Sequence, residues 1–145
     1  MTITPLTAET GFVTVLLILC IKALLLGMAT AARRGSLKSF LNAEDANWLK
    51  GEHLPVDPEP VSRIGRAHRN DLENLLLFAI AGAIFIRAGG YPNAGIIYST
   101  VFLLARIGHS FAYLTARPLF RRNAYTLGFL IIAALCIHSG IAMIA

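Results

Sequence analysis

The sequence predicts an all-α integral membrane protein built as a four-transmembrane-helix bundle. Three observations carry that prediction. Of the 145 residues, 56% are hydrophobic and only 14% are charged, whereas a soluble domain carries about a quarter charged residues. The mean hydropathy is +0.64, more apolar surface than a core of this size can hide from water. Finally, the apolar residues gather into runs whose lengths approach the roughly 20 residues that cross a bilayer. A disordered chain is excluded by the same numbers. The formal charge of +5 then poses a question, because charge is costly in hydrocarbon.

The elements follow in order, as a single membrane domain of residues 1–145 with spans at about 10–34, 60–88, 93–116 and 122–145. The first span, Gly11 to Ala32, is interrupted only by Lys22. It lacks the basic start and small-residue cleavage site of a signal peptide, so it reads as a retained helix. Lys22 either packs its polar atoms inside the bundle or snorkels. Residues 35–59 form the one long loop, with Pro55 and Pro58 and charges of both signs. Asp57-Pro58-Glu59 reads as a helix start, with a cap residue, a proline and an acid at the positive dipole end.

The second and third apolar runs, Leu75–Ile86 and Ala94–Ala105, are too short to cross alone. Each reaches span length by adding polar turns, through Arg66, Arg69, Asn70 and Glu73 on one and Arg106, His109, Ser110 and Tyr113 on the other. The turn Ala88-Gly-Gly-Tyr-Pro-Asn93 between them predicts an antiparallel helical hairpin. At about 1.5 Å per residue the two polar ends fall at the same depth, forming one polar layer. The fourth span, Ala124 to Ala145, carries no full charge.

Basic residues set the orientation. Arg33, Arg34, Lys38, Lys50, Arg63, Arg66 and Arg69 flank the long loop, and Arg117, Arg121 and Arg122 occupy the third-to-fourth connection, against Arg87 alone on the opposite side. The expectation is a multi-pass protein whose polar layer faces the cytoplasm, in an inner membrane if bacterial and the endoplasmic reticulum if eukaryotic.

Each polar set repeats at i, i+3, i+4, i+7 and so shares a helix face; Arg121 and Tyr125 repeat it at i, i+4. Pairs such as Asp71 with Arg66 or Arg106 could simply join helices. The set as a whole has far more bases than acids, and that excess asks for an anionic guest held by arginine–carboxylate contacts. A ligand with carboxylates at both ends and an amine that Glu73 could accept is a small acidic peptide. Cys20 and Cys136 lie in apolar runs and give no disulfide framework, no His or Cys spacing suits a metal, and nothing indicates nucleic acid. His68 reads as facing a helix neighbour, and His138 has no assigned role.

The string RAHRNDLEN, Arg66–Asn74, resembles the signature of the MAPEG superfamily, membrane-associated proteins in eicosanoid and glutathione metabolism. ARIGHSFAYLT, Ala105–Thr115, and FLNAEDA, Phe40–Ala46, are similar to further segments of its microsomal glutathione transferase and prostaglandin E synthase branch. The resemblance implies a homotrimer of four-helix protomers that binds glutathione between protomers and takes a lipophilic second substrate from the bilayer lipid. It implies glutathione contacts at Arg34, Arg69, Asn70, Glu73, His109, Tyr113, Arg121 and Tyr125, with catalytic roles for Arg121 and for Asp45 near it, and a buried scaffold of Arg66, Asp71 and Arg106. Transferase and peroxidase activity rank first, with a prostaglandin E synthase-like isomerase and a non-catalytic lipid-binding scaffold as alternatives. Arg69 leans toward the synthase, whereas LEN and AYLT lean toward the transferase. The chain departs from the pattern with Arg122 in place of a serine, one residue fewer between Tyr113 and Tyr125, and Ala46 where some transferases carry a cysteine.

Overall fold

The computed structural model describes residues 7–144. Four long helices dominate it: α1 (Ala8–Leu37), α3 (Glu59–Arg87), α4 (Pro92–Leu114) and α5 (Pro118–Ile144). Between α1 and α3 lie β1 (Ser39–Phe40), a short α2 (Ala43–Leu49) and β2 (Glu52–His53). The expected ends of the domain at 1–6 and 145 lie outside the described residues. α1, α4 and α5 each carry a stretch long and apolar enough to cross a membrane. α3 has the length, but its N-terminal half is the polar one.

Helix ends follow local chemistry. Thr7 and Thr10 cap the start of α1 reciprocally, each side chain meeting the other's backbone N–H. Its far end closes on Lys38 in a left-handed conformation. The structure corrects the expected start of α3. Pro58 is the cap and makes no side-chain bond. Asp57 is instead drawn to Arg34, and its carbonyl accepts from Ser62 at 2.9 Å. The hairpin between α3 and α4 turns at Gly89, whose φ of +74° glycine adopts without the steric cost a Cβ would bring.

The long connection is also more ordered than a plain loop. β1 and β2 pair in parallel, Ser39 opposite Glu52 and Phe40 opposite His53. The turn at Gly51 lies so close to the Phe40 ring that a Cβ there would sit 2.4 Å from it. Two-residue strands carry no periodic signal that a sequence reading can detect.

The apolar core runs along the half of the bundle away from the loop. Phe12, Val15 and Leu19 of α1 meet Phe78, Ala81 and Phe85 of α3, Phe102 of α4 and Leu135 of α5. Phe78 and Phe102 stack with centroids 4.1 Å apart. Gly82 admits the Phe12 ring against the α3 backbone. This packing fixes the depth at which the polar ends of α3 and α4 face each other.

Candidate functional site

One layer toward the loop from the aromatic core, the bundle becomes polar. Lys22 donates to Asp71, to Ser110 Oγ at 2.8 Å and to the Arg106 carbonyl at 3.1 Å. Arg106 donates to the other Asp71 oxygen from Nη2 at 2.6 Å and Nε at 3.2 Å, and to Asn70 at 2.9 Å. Asp71 and Arg106 are buried, with side-chain exposures of 5% and 2%. Lys22 therefore takes the interior option. One carboxylate on α3 gathers a cation from α1 and a cation and a hydroxyl from α4, which fixes the register of α1, α3 and α4 at this level.

Two expectations for this layer are corrected. Arg66 is not buried scaffold. It turns out to solvent and holds Glu59 at 2.9 and 3.1 Å. The expected inward face of α3 is also rotated. Ala67, Asp71, Asn74 and Phe78 are buried, whereas Arg66, Arg69 and Glu73 are exposed on the single chain. The reason is the core: Phe78 and Phe85 must face inward, and helical spacing from them selects Asp71 rather than Arg69 or Glu73.

On the α4 and α5 side, the predicted residues form a chain of stacked groups. His109 is buried, and its Nδ1 lies 3.4 Å from Arg106 Nη2. An accepted bond there leaves the imidazole proton on Nε2. The His109 ring packs on Tyr113 and Tyr125 with centroids 5.6 and 6.2 Å away. The Arg121 guanidinium lies 4.6 Å over the Tyr113 ring. α5 begins at Pro118, so Arg121 and Arg122 stand near its start rather than in a loop. A cavity of about 230 Å³ opens beside Tyr113 and Arg121, completed by Arg63 and Arg66 of α3 and by Glu59.

The single chain thus joins Asn70, through Arg106, to His109, Tyr113, Arg121 and Tyr125. It does not bring Arg34, Asp45, Arg69 or Glu73 into that cluster. The Arg34 guanidinium grips Asp57 at 2.8 and 2.6 Å. Asp45 accepts from Asn42 at 2.9 Å in the first turn of α2. Arg69 and Glu73 point away from the bundle. His68 lies over Gly27 of α1, and His138 meets Tyr98 at 3.4 Å far from this layer. Among the described residues, no group of three His, Cys, Asp or Glu side chains could hold a metal.

Sequence reasoning missed two pairings. It set Asp71 in a buried scaffold with Arg106 but did not join Lys22 to it, although an ammonium within an apolar helix needs a buried acceptor. Glu59 as a partner of Arg63 and Arg66 was signalled by its spacing of four and seven residues along one helix face.

Comparison with known proteins places this geometry. Residues 12–141 match the MAPEG family. The chain is 40% identical to rat microsomal glutathione S-transferase 1 over 116 residues, covering 77% of this chain and 72% of the relative. It is 40% identical to the human protein of the same name over 102 residues, 67% of this chain and 65% of that one. It is 34% identical to human prostaglandin E synthase over 123 residues, 83% of this chain and 80% of the synthase. With a match across nearly the whole polar layer and core, this chain belongs to the MAPEG family of membrane proteins.

Proposed function

We propose that the protein is a glutathione-dependent membrane transferase whose thiolate attacks lipophilic electrophiles, and reduces lipid hydroperoxides, at the cytoplasmic end of the bundle. One observation carries the reading. Arg121 stands over Tyr113 at a cavity rimmed by further guanidinium groups, in a chain similar to proteins named microsomal glutathione S-transferase 1. Those guanidiniums suit the carboxylates of an acidic thiol peptide.

In this reading Arg121 lies beside the sulfur and favours thiolate over thiol by charge proximity. A shift of one to two pKa units corresponds to about 1.4–2.8 kcal/mol. The thiolate forms a C–S bond with the electrophilic carbon as the leaving group departs with the bonding pair. With a hydroperoxide it takes the distal oxygen instead, releasing the alcohol and leaving a glutathione sulfenic acid, which a second glutathione thiol converts to glutathione disulfide and water. His109, Tyr113 and Tyr125 form the wall that orients the peptide.

Assembly belongs to the same proposal. Arg69 and Glu73 are exposed beside Leu72, Leu76, Leu77 and Ile80. A charge facing lipid costs several kcal/mol at depth, so this face of α3 calls for a protein neighbour. A homotrimer supplies one, with all four long helices spanning and the loop facing the cytoplasm. It would also let Arg34, Arg69 and Glu73 of adjoining chains reach one ligand.

The 34% identity to prostaglandin E synthase and the presence of Arg69 favour a second reading, isomerisation of a prostaglandin endoperoxide by the same thiolate. One assay separates them. Detergent-solubilised protein is given glutathione with an aryl halide, a lipid hydroperoxide or prostaglandin H in parallel. The transferase reading expects an aryl–glutathione conjugate. Turnover of prostaglandin H alone supports the second reading, and no turnover of any of the three contradicts both.

A further inference from the structure

The cavity beside Arg121 already contains a carboxylate. Glu59 Oε1 accepts from Arg63 and from Arg66, each at 2.9 Å, and Oε2 accepts from Arg66 at 3.1 Å. This is the two-arginine cradle that an anionic ligand would need. With Glu59 in it, the remaining space is about 230 Å³, under the roughly 300 Å³ at which small-molecule sites begin.

We propose that Glu59 is a resident stand-in for a ligand carboxylate: it holds Arg63 and Arg66 beside Tyr113 and Arg121, and is displaced when an anionic ligand enters. The inference rests on the glutathione reading for its natural ligand, and names a residue that sets the affinity of that site.

Three observations support exchange. Glu59 is the first residue of α3, and its side chain is 58% exposed, so it can swing into water without unburying apolar surface. Among the described residues its side chain bonds only to Arg63 and Arg66, so its departure breaks no bond to the backbone. Its carboxyl lies below the usual glutamate range, chiefly because Arg66 donates to it, so it is an anion at neutral pH. The cavity is otherwise cationic, with Arg63, Arg66 and Arg121 facing it and no second acid among its lining residues. Removing the glutamate charge leaves these arginines without their competitor.

The test uses the full chain in detergent micelles and isothermal calorimetry with two probes, inorganic phosphate and glutathione. Glu59→Gln keeps the shape and removes the charge. Both probes should bind about three- to ten-fold more tightly, as expected when two exposed ion pairs no longer compete. Glu59→Asp, which keeps the charge on a shorter arm, should bind close to wild type or modestly tighter. A merely structural glutamate predicts the opposite sign, because loosening α3 weakens both probes. Unchanged or weaker binding of phosphate and glutathione to Glu59→Gln overturns the inference. Tighter phosphate with no glutathione binding to either protein upholds the stand-in role and overturns the glutathione reading instead.

Discussion

Replacing Asp71 by asparagine should be the most damaging isosteric change in the polar layer. The carboxylate receives Lys22, Arg106 and Ser110 and is 5% exposed. Asparagine keeps the volume but leaves Lys22 and Arg106 as uncompensated charges inside the bundle. Breaking a buried pair by removing one partner costs about 3–5 kcal/mol. At about 2–4 °C per kcal/mol for a domain near this size, the melting temperature should fall by roughly 6–20 °C. Thermal unfolding in one detergent, followed by circular dichroism, measures it. Lys22→Met should cost less, because Asp71 retains Arg106. The double variant should lose less than the sum of the singles, since each removes part of the same network. An Asp71→Asn protein that melts within a degree of wild type would refute the account of this layer.

Arg121→Ala should retain glutathione binding within about ten-fold while losing the ultraviolet thiolate band; a normal band in a variant that still binds removes Arg121 from the sulfur. Gly82→Ala would place a Cβ 2.1 Å from the Phe12 ring, and overpacking of this kind costs about 1–3 kcal/mol; thermal melts should show the loss, with partial recovery on adding Phe12→Leu. Arg34→Gln breaks the two-bond grip on Asp57, so limited proteolysis should cut between Lys38 and Asp57 faster than in wild type. Glu59 has a depressed carboxyl, so its contacts with Arg63 and Arg66 are complete above the ordinary glutamate range and are lost only as pH falls through the lower folded value. With Arg63, Arg66, Tyr113 and Arg121 the other groups facing it, the difference in phosphate affinity between wild type and Glu59→Gln should persist at neutral pH and narrow only in that acidic range.

Much of the architecture was legible because hydropathy and turn chemistry act locally. The Gly-Gly-Tyr-Pro hairpin and the long apolar helices needed no tertiary information, and the matched depth of the α3 and α4 polar ends followed from residue counts. The meeting of Arg106 with Asn70 and Asp71 reflects that match. What was hidden depended on choices between neighbours. α3 could present Arg69 and Glu73 or Asp71 and Asn74 inward, and the decision was made by Phe78 and Phe85 docking elsewhere on the helix. Asp57 had the chemistry of a helix cap, but an arginine from α1 offered a stronger bond than an exposed N–H. The pairing of Glu59 with Arg66 spans seven residues and competes with the scaffold role that the motif suggests for Arg66.

The charge that began as a puzzle is sorted rather than spread. Two cations are absorbed by Asp71 inside the bundle. Arg63 and Arg66 share Glu59, and Arg34 takes Asp57. Arg121 lies on Tyr113 and has no carboxylate among the described ion pairs. Of the three guanidiniums that line the cavity it is the one left for a new anion, and the central claim is that the anion is a thiolate.

The most direct measurement is a titration of glutathione into purified wild-type protein near neutral pH, with the thiolate absorption read in parallel with binding heat. The account predicts a thiolate band that grows in proportion to bound glutathione, at a pH where free glutathione is mostly thiol. Bound glutathione without that band would contradict it.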